Sequence, residues 1–88
     1  FPTAISIDKT GQLWAADYLY KRIRIFDVET GKHKYDVNVE SNPLSIQIGR
    51  NNHIYIGFED SISIMDPTGE VMQSAPLDVI TDVFALGH

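Results

Sequence analysis

Three scarcities in this chain limit what it can be. It has no cysteine, which excludes disulfides and thiolate metal sites. No apolar run approaches the roughly 18 residues that a membrane-spanning helix needs, so we expect no membrane span. Basic residues are few, because 7 Lys and Arg stand against 12 Asp and Glu and the formal charge is −5. A continuous basic surface is hard to build from so few cations, and we expect no nucleic-acid partner.

The chain does contain an internal repeat. With 43% hydrophobic and 22% charged residues it has the composition of a globular protein. Segment 2–8 aligns with 43–49, and segment 13–15 aligns with 54–56, both at a spacing of 41 residues. A third copy opens at 81–87. A period near 40 residues is typical of repeat architectures.

Each copy of the repeat predicts four β-strands, here lettered a to d. In the first copy the strands are 4–7, 13–17, 22–27 and about 33–39, and in the second they are 44–48, 53–58, 61–66 and about 70–74. β-branched and aromatic residues are dense in these segments, and turn residues such as those at 8–11 separate them. Segment 77–86 matches a strand better than a helix because it is rich in β-branched residues.

Four-stranded units at this spacing predict an all-β fold of β-propeller blades. We expect blade 1 at residues 1–40, blade 2 at 41–80 and the first strand of a third blade at 81–88, all in one propeller domain. About 4 to 8 blades are needed to close a ring. Two blades and one strand cannot close a ring, so we expect the remaining blades to come from a longer chain or from self-association.

The first copy also carries a family resemblance. The pattern P-x-x-I-x-I-D-x-x-G-x-L-W-x-A-D, followed by R-I-x-I-F-D-x-x-x-G, runs from Pro2 to Gly31 and resembles the NHL repeat of six-bladed propellers. The second copy departs from it, since Gly49 replaces the first aspartate and Phe58 replaces Asp17. Lactonase-like, gluconolactonase-like and sensor propellers share this skeleton. The resemblance implies a binding module or, as an alternative, a metal-dependent hydrolase that holds Ca²⁺ with side chains from several blades.

Strand direction brings the candidate binding residues together. Because strands a to d alternate in direction, the b–c and d–a links emerge on the same face of the ring. This face carries Tyr18, Tyr20 and Lys21, then Asn42, then Glu59 and Asp60. Exposed aromatics beside a cation resemble interface hot spots, so we predict a protein or peptide partner. In the alternatives, one tyrosine packs on the next blade, and the acidic pair is a solvated loop or contacts a hard cation.

The remaining polar residues predict structure rather than chemistry. His33, His53 and His88 show no ligand spacing, so we assign no metal site, no cofactor and no catalytic residue. Asp17 ends strand b and Arg22 begins strand c, which predicts an ion pair across the link. A catalytic role for Asp17 is the alternative. Removing one partner of such a pair is costly where the pair is buried.

Overall fold

The computed structural model describes residues 4–76, which form eight β-strands in two antiparallel sheets. The first sheet contains β1 (Ala4–Ile7), β2 (Gln12–Asp17), β3 (Arg22–Asp27) and β4 (His33–Asn38). The second contains β5 (Ser45–Ile48), β6 (Ile54–Gly57), β7 (Ser61–Met65) and β8 (Val71–Pro76). Strand order follows the chain in both sheets, which confirms the prediction of an all-β chain with two four-stranded units. The strand predicted at 81–88 lies outside the described residues.

No helix in the described part of the chain is long and apolar enough to cross a membrane.

The first turn of the first sheet and the last turn of the second sheet are of the same type. Between β1 and β2, the backbone N–H of Thr10 donates to Asp8 Oδ1 over 2.8 Å, and Gly11 adopts a φ of 84°. Between β7 and β8, Thr68 donates in the same way to Asp66 Oδ1 over 2.9 Å, and the following glycine has a φ of 88°. Asp accepts from the backbone two residues on, and glycine tolerates positive φ, so both hairpins reverse in the same way.

The core lies between the two sheets. Alternate residues of the strands face inward, and the fully buried set is Trp14, Ala16, Ile23, Ile25, Ile54, Ile56 and Met65. The backbone contact between the sheets runs through β1, β2 and β5. Among the described strands, the backbones of β3 and β4 remain apart from the second sheet. The strand backbones of the two sheets therefore lie close together along β1, β2 and β5 and farther apart toward the last strands, where side chains of β4 reach the last turn.

A buried carboxylate supports this packing. Asp8 is only 4% exposed, and its Oδ2 accepts hydrogen bonds from Trp14 Nε1 at 2.7 Å and Gln12 Nε2 at 2.8 Å. Burial raises the pKa of the Asp8 carboxyl, but hydrogen bonds from Gln12, Thr10 and Trp14 outweigh burial and lower that pKa from 3.8 to about 2. The sequence analysis assigns Asp8 only to a turn. The missed signal is that a buried indole N–H needs an acceptor.

Hydrogen bonds also join the two sheets directly. The carbonyl of Pro67, in the last turn, accepts from Gln12 Nε2 at 3.0 Å and from the Tyr35 hydroxyl at 2.9 Å. At another turn, the backbone N–H of Lys9 donates to Asn52 Oδ1 over 2.7 Å. These bonds fix how the sheets lie against each other, and with it the positions of the links at the opposite ends of the strands.

Candidate binding face

The links at 18–21, 39–44 and 58–60 meet at one end of the two sheets, which we call the link face. They enclose a cavity of about 440 Å³, the link cavity. Its lining includes five of the six predicted site residues, namely Tyr18, Lys21, Asn42, Glu59 and Asp60. Among the described residues, Glu40, Ser41 and Leu44 also line it. Residues from three separate links therefore converge at this end of the sheets, and a binding role for them stays a prediction.

Asn42 connects two of these links. Its side-chain Nδ2 donates a hydrogen bond to the backbone carbonyl of Tyr18. Lys21 ends the first link with a φ of 51°, a left-handed conformation that is uncommon for a residue with a side chain. Tyr18 stays 37% exposed beside the cavity. The first link is thus held in a defined shape, with an aromatic ring available to solvent.

Tyr20 is the one predicted site residue that does not line the link cavity. It is 69% exposed, and the Arg22 guanidinium lies over its ring at 5.1 Å from the ring centre. Arg22 Nε donates to Asp17 Oδ2 over 2.8 Å, which confirms the ion pair predicted across the link. This hydrogen bond raises the pKa of Arg22. Within residues 4–76, Asp17 Oδ1 is buried and has no hydrogen-bond partner.

The link cavity has an excess of negative charge. Three carboxylates, from Glu40, Glu59 and Asp60, share its lining with one ammonium group, that of Lys21. Across residues 4–76, no group of three or more His, Cys, Asp or Glu side chains is arranged to hold a metal ion. The Ca²⁺ expected under the hydrolase alternative therefore has no ligand set in the described part of the chain.

His33 takes a structural position on the first sheet. His33 Nε2 lies 2.7 Å from Asp36 Oδ1, and its ring contacts Phe26 edge-on at 5.3 Å between ring centres. His88 lies outside the described residues. The Asp36 pairing places His33 on the surface of the first sheet, away from the residues that line the link cavity.

A second cavity, which the sequence analysis missed, adjoins the first. It encloses about 370 Å³ between the diverging sheets, and we call it the inter-sheet cleft. Glu40 and Ser41 line both cavities. Its other lining residues are apolar, namely Val39, Phe58, Met65 and Val71, or small and polar, namely Asn38, Ser61, Ser63 and Ser74. The cleft depends on the angle between the sheets, which strand patterns do not encode.

Leu44 was also missed as a site residue. The sequence places it at the start of a strand, whereas the strand begins at Ser45 and Leu44 remains 46% exposed in the link. The sequence does hint at this later start, because Leu44 directly follows a proline, which has no backbone N–H to donate to the hydrogen bonds of a sheet.

Comparison with known proteins supports the fold and nothing finer. No protein-family profile matches the chain, and no curated protein does. Hydrazine synthase from Kuenenia stuttgartiensis is similar over 83% of this chain, at a TM-score of 0.76 and 16% identity. The Pan2 WD40 domain from Neurospora crassa is similar over 82%, at a TM-score of 0.68 and 17% identity.

This chain spans only 23% and 22% of the length of those two chains. Such low identities show shared architecture alone. WD40 domains are propellers built from four-stranded blades, and the two sheets described above repeat that unit in chain order. The chain therefore folds as blades of a β-propeller.

Proposed function

We propose that this chain contributes two blades to a propeller that binds a protein or peptide through its link face. The carrying observation is the link cavity of about 440 Å³, in which Tyr18 and Lys21 of one link lie beside Asn42 of a second and Glu59 of a third. Propellers are scaffolds whose function depends on such grafted sites. An exposed aromatic, a side-chain amide and charges of both signs form a surface suited to recognising a polypeptide.

The chemistry of the lining suits peptide binding. A metal-dependent lactonase would instead draw its cation ligands from several blades. A peptide needs hydrogen-bonding groups and a surface with little conformational freedom. Asn42 supports this second role because its hydrogen bond to Tyr18 holds two links together before any ligand arrives. The six-bladed, NHL-like identity of the whole ring remains part of this proposal.

Selection of peptides from a phage-displayed random library against the chain tests the proposal. Peptides that bind the unaltered chain should lose about tenfold or more in affinity for Tyr18→Ser and for Asn42→Ala, because these changes remove a contact surface and the bond that fixes it. Val28→Ser is the matched control, since Val28 is equally accessible, at 45% exposed, but lies in a turn at the other end of the strands. Equal binding to all variants would refute a role for the link face.

A further inference from the structure

This inference rests on the proposed function and concerns the chemistry of the ligand, which the two adjoining cavities define. We infer that the link cavity and the inter-sheet cleft together bind an extended peptide, which inserts one apolar anchor side chain into the cleft and presents basic side chains to the link cavity. The physical basis is that the cavities share Glu40 and Ser41, so a single segment can occupy both.

The cleft has the size and lining for an apolar anchor. An apolar cavity of about 150 Å³ accommodates benzene, and the cleft encloses about 370 Å³. Phe58 is half-buried and Val71 is 51% exposed, so both offer apolar surface to an entering side chain. An aliphatic side chain that enters this space exchanges contact with water for contact with these residues, which is the main source of affinity in anchor-type recognition.

The cleft is open because of the way the blades meet. The sheets contact through β1, β2 and β5, so an opening remains between β4 of the first sheet and β7 and β8 of the second. Ser61, Ser63 and Ser74 line this opening with small side chains. The Ser63 and Ser74 hydroxyls bond to each other at 3.0 Å. The inner apolar surface therefore remains reachable past small residues.

The charge of the link cavity determines which ligand residues can flank the anchor. Glu40 lines both cavities, and Glu59 and Asp60 line the link cavity between Phe58 and Ser61, which line the cleft. Their carboxylates exceed the single ammonium of Lys21, so a cationic ligand is complementary to this surface. In an extended chain, residues two apart project from the same side, about 6.6 Å from each other. Basic residues two positions from the anchor then point to the same face as the anchor.

Three synthetic peptides separate these contributions in NMR titrations of the isotope-labelled 88-residue chain. The first is Ac-Ser-Lys-Ser-Leu-Ser-Lys-Ser-amide, the second replaces its Leu with Gly, and the third replaces both Lys with Glu. The first should shift the amides of Phe58 and Ser63 and bind about tenfold more tightly than the second. The third should bind more weakly than the first, and added salt should reduce that difference. Equal affinity of the first and second peptides would overturn the anchor.

A pair of variants locates the anchor without disturbing the core. Ser74→Phe fills the cleft from an exposed strand position, and Gln73→Phe is the matched control, because Gln73 is also exposed but projects from the opposite side of β8. Ser74→Phe should remove the advantage of the leucine peptide over the glycine peptide, and Gln73→Phe should leave it unchanged. Dispersed amide spectra would verify that both variants fold.

The outcomes distinguish this inference from the proposed function. If Tyr18→Ser weakens binding of the leucine peptide and Ser74→Phe does not, the link face binds peptide and the cleft anchor is wrong. If no peptide shifts any amide at millimolar concentration, the anchor inference is also wrong, and the phage selection decides the proposed function independently.

Discussion

Asp8 holds the first hairpin turn against the core through hydrogen bonds that suit an ionised carboxylate. Trp14 Nε1, Gln12 Nε2 and the Thr10 hydroxyl all donate to it. The pKa of this carboxyl is about 2 in the folded chain against an ordinary value of 3.8. Because the folded-state pKa is lowered, ionised Asp8 stabilises the fold above about pH 4, and this contribution is lost as pH falls through 2.

The resulting prediction concerns the free energy of unfolding. A shift of this size corresponds to about 2 kcal/mol, so Asp8→Asn should be less stable than the unaltered chain at pH 5 and the gap should narrow toward pH 2. Urea unfolding of both chains across that range measures the gap. A gap that stays constant with pH would show that the Asp8 charge does not contribute.

The two arginines of β3 pair with different aspartates, and removing each arginine leaves a different aspartate without that partner. Arg22 is the hydrogen-bond partner described for Asp17, a residue that is 8% exposed, whereas Arg24 pairs with Asp36, which also has His33 at 2.7 Å. A buried carboxylate without its partner is strongly unfavourable. Arg22→Met should therefore lower the melting temperature more than Arg24→Met, measured by circular dichroism at pH 7. The reverse order would mean that Asp17 finds another partner.

Single residues show which parts of the site the sequence can predict. The bond between Asp17 and Arg22 was predictable because both residues flank one short link. The position of Tyr20 was not, because its stacking on Arg22 competes with the cavity and both contacts are compatible with the same link. The acceptor role of Asp8 toward Trp14 depends on the three-dimensional course of the hairpin, so the turn pattern alone does not reveal it.

At the scale of elements, the glycines of two equivalent turns can be compared because their backbones have nearly the same conformation. Gly11 and Gly69 have φ of 84° and 88°, a region in which any side chain costs about 1–2 kcal/mol. A Cβ at Gly11 would meet nothing within 4 Å, but one at Gly69 would lie 2.7 Å from Val37 Cγ2 and 3.2 Å from Tyr35 Cε2. The glycine of the last turn thus packs on the first sheet, whereas a side chain at Gly11 would point into open space.

Alanine substitution should separate backbone strain from packing. Gly11→Ala should lose about 1–2 kcal/mol from strain alone, and Gly69→Ala should lose a further 1–3 kcal/mol, roughly the range for overpacking. Urea unfolding of the two variants measures the difference. Equal losses would imply that Val37 and Tyr35 move aside without cost.

Strand patterns predict the elements better than their ends. The sequence predicts β3 with its observed bounds because an arginine and a turn aspartate delimit a dense β-forming run. It ends the last strand at 74, whereas β8 continues to Pro76. That extension is possible because β8 is the edge of its sheet, where a proline need not donate to a further strand.

At the scale of the whole molecule, the sheets differ in what covers them. Ile46 and Ile48 of β5 pack against the core between the sheets. Ile5 and Ile7 occupy the equivalent positions in β1, but they are 61% and 55% exposed. The first sheet therefore presents outward the same kind of face that the second sheet buries. Blades that stack in a ring cover such a face with their neighbours.

This exposed face predicts association in solution. At rising concentration, sedimentation equilibrium of the 88-residue chain should give a mass above 9.9 kDa, because apolar faces of this kind associate. The double variant Ile5→Ser with Ile7→Ser should associate less. The control, Val28→Ser with Met72→Ser, changes two residues of similar exposure, 45% and 53%, and should associate like the unaltered chain. A mass of 9.9 kDa at every concentration would show that copies of this chain do not cover the face.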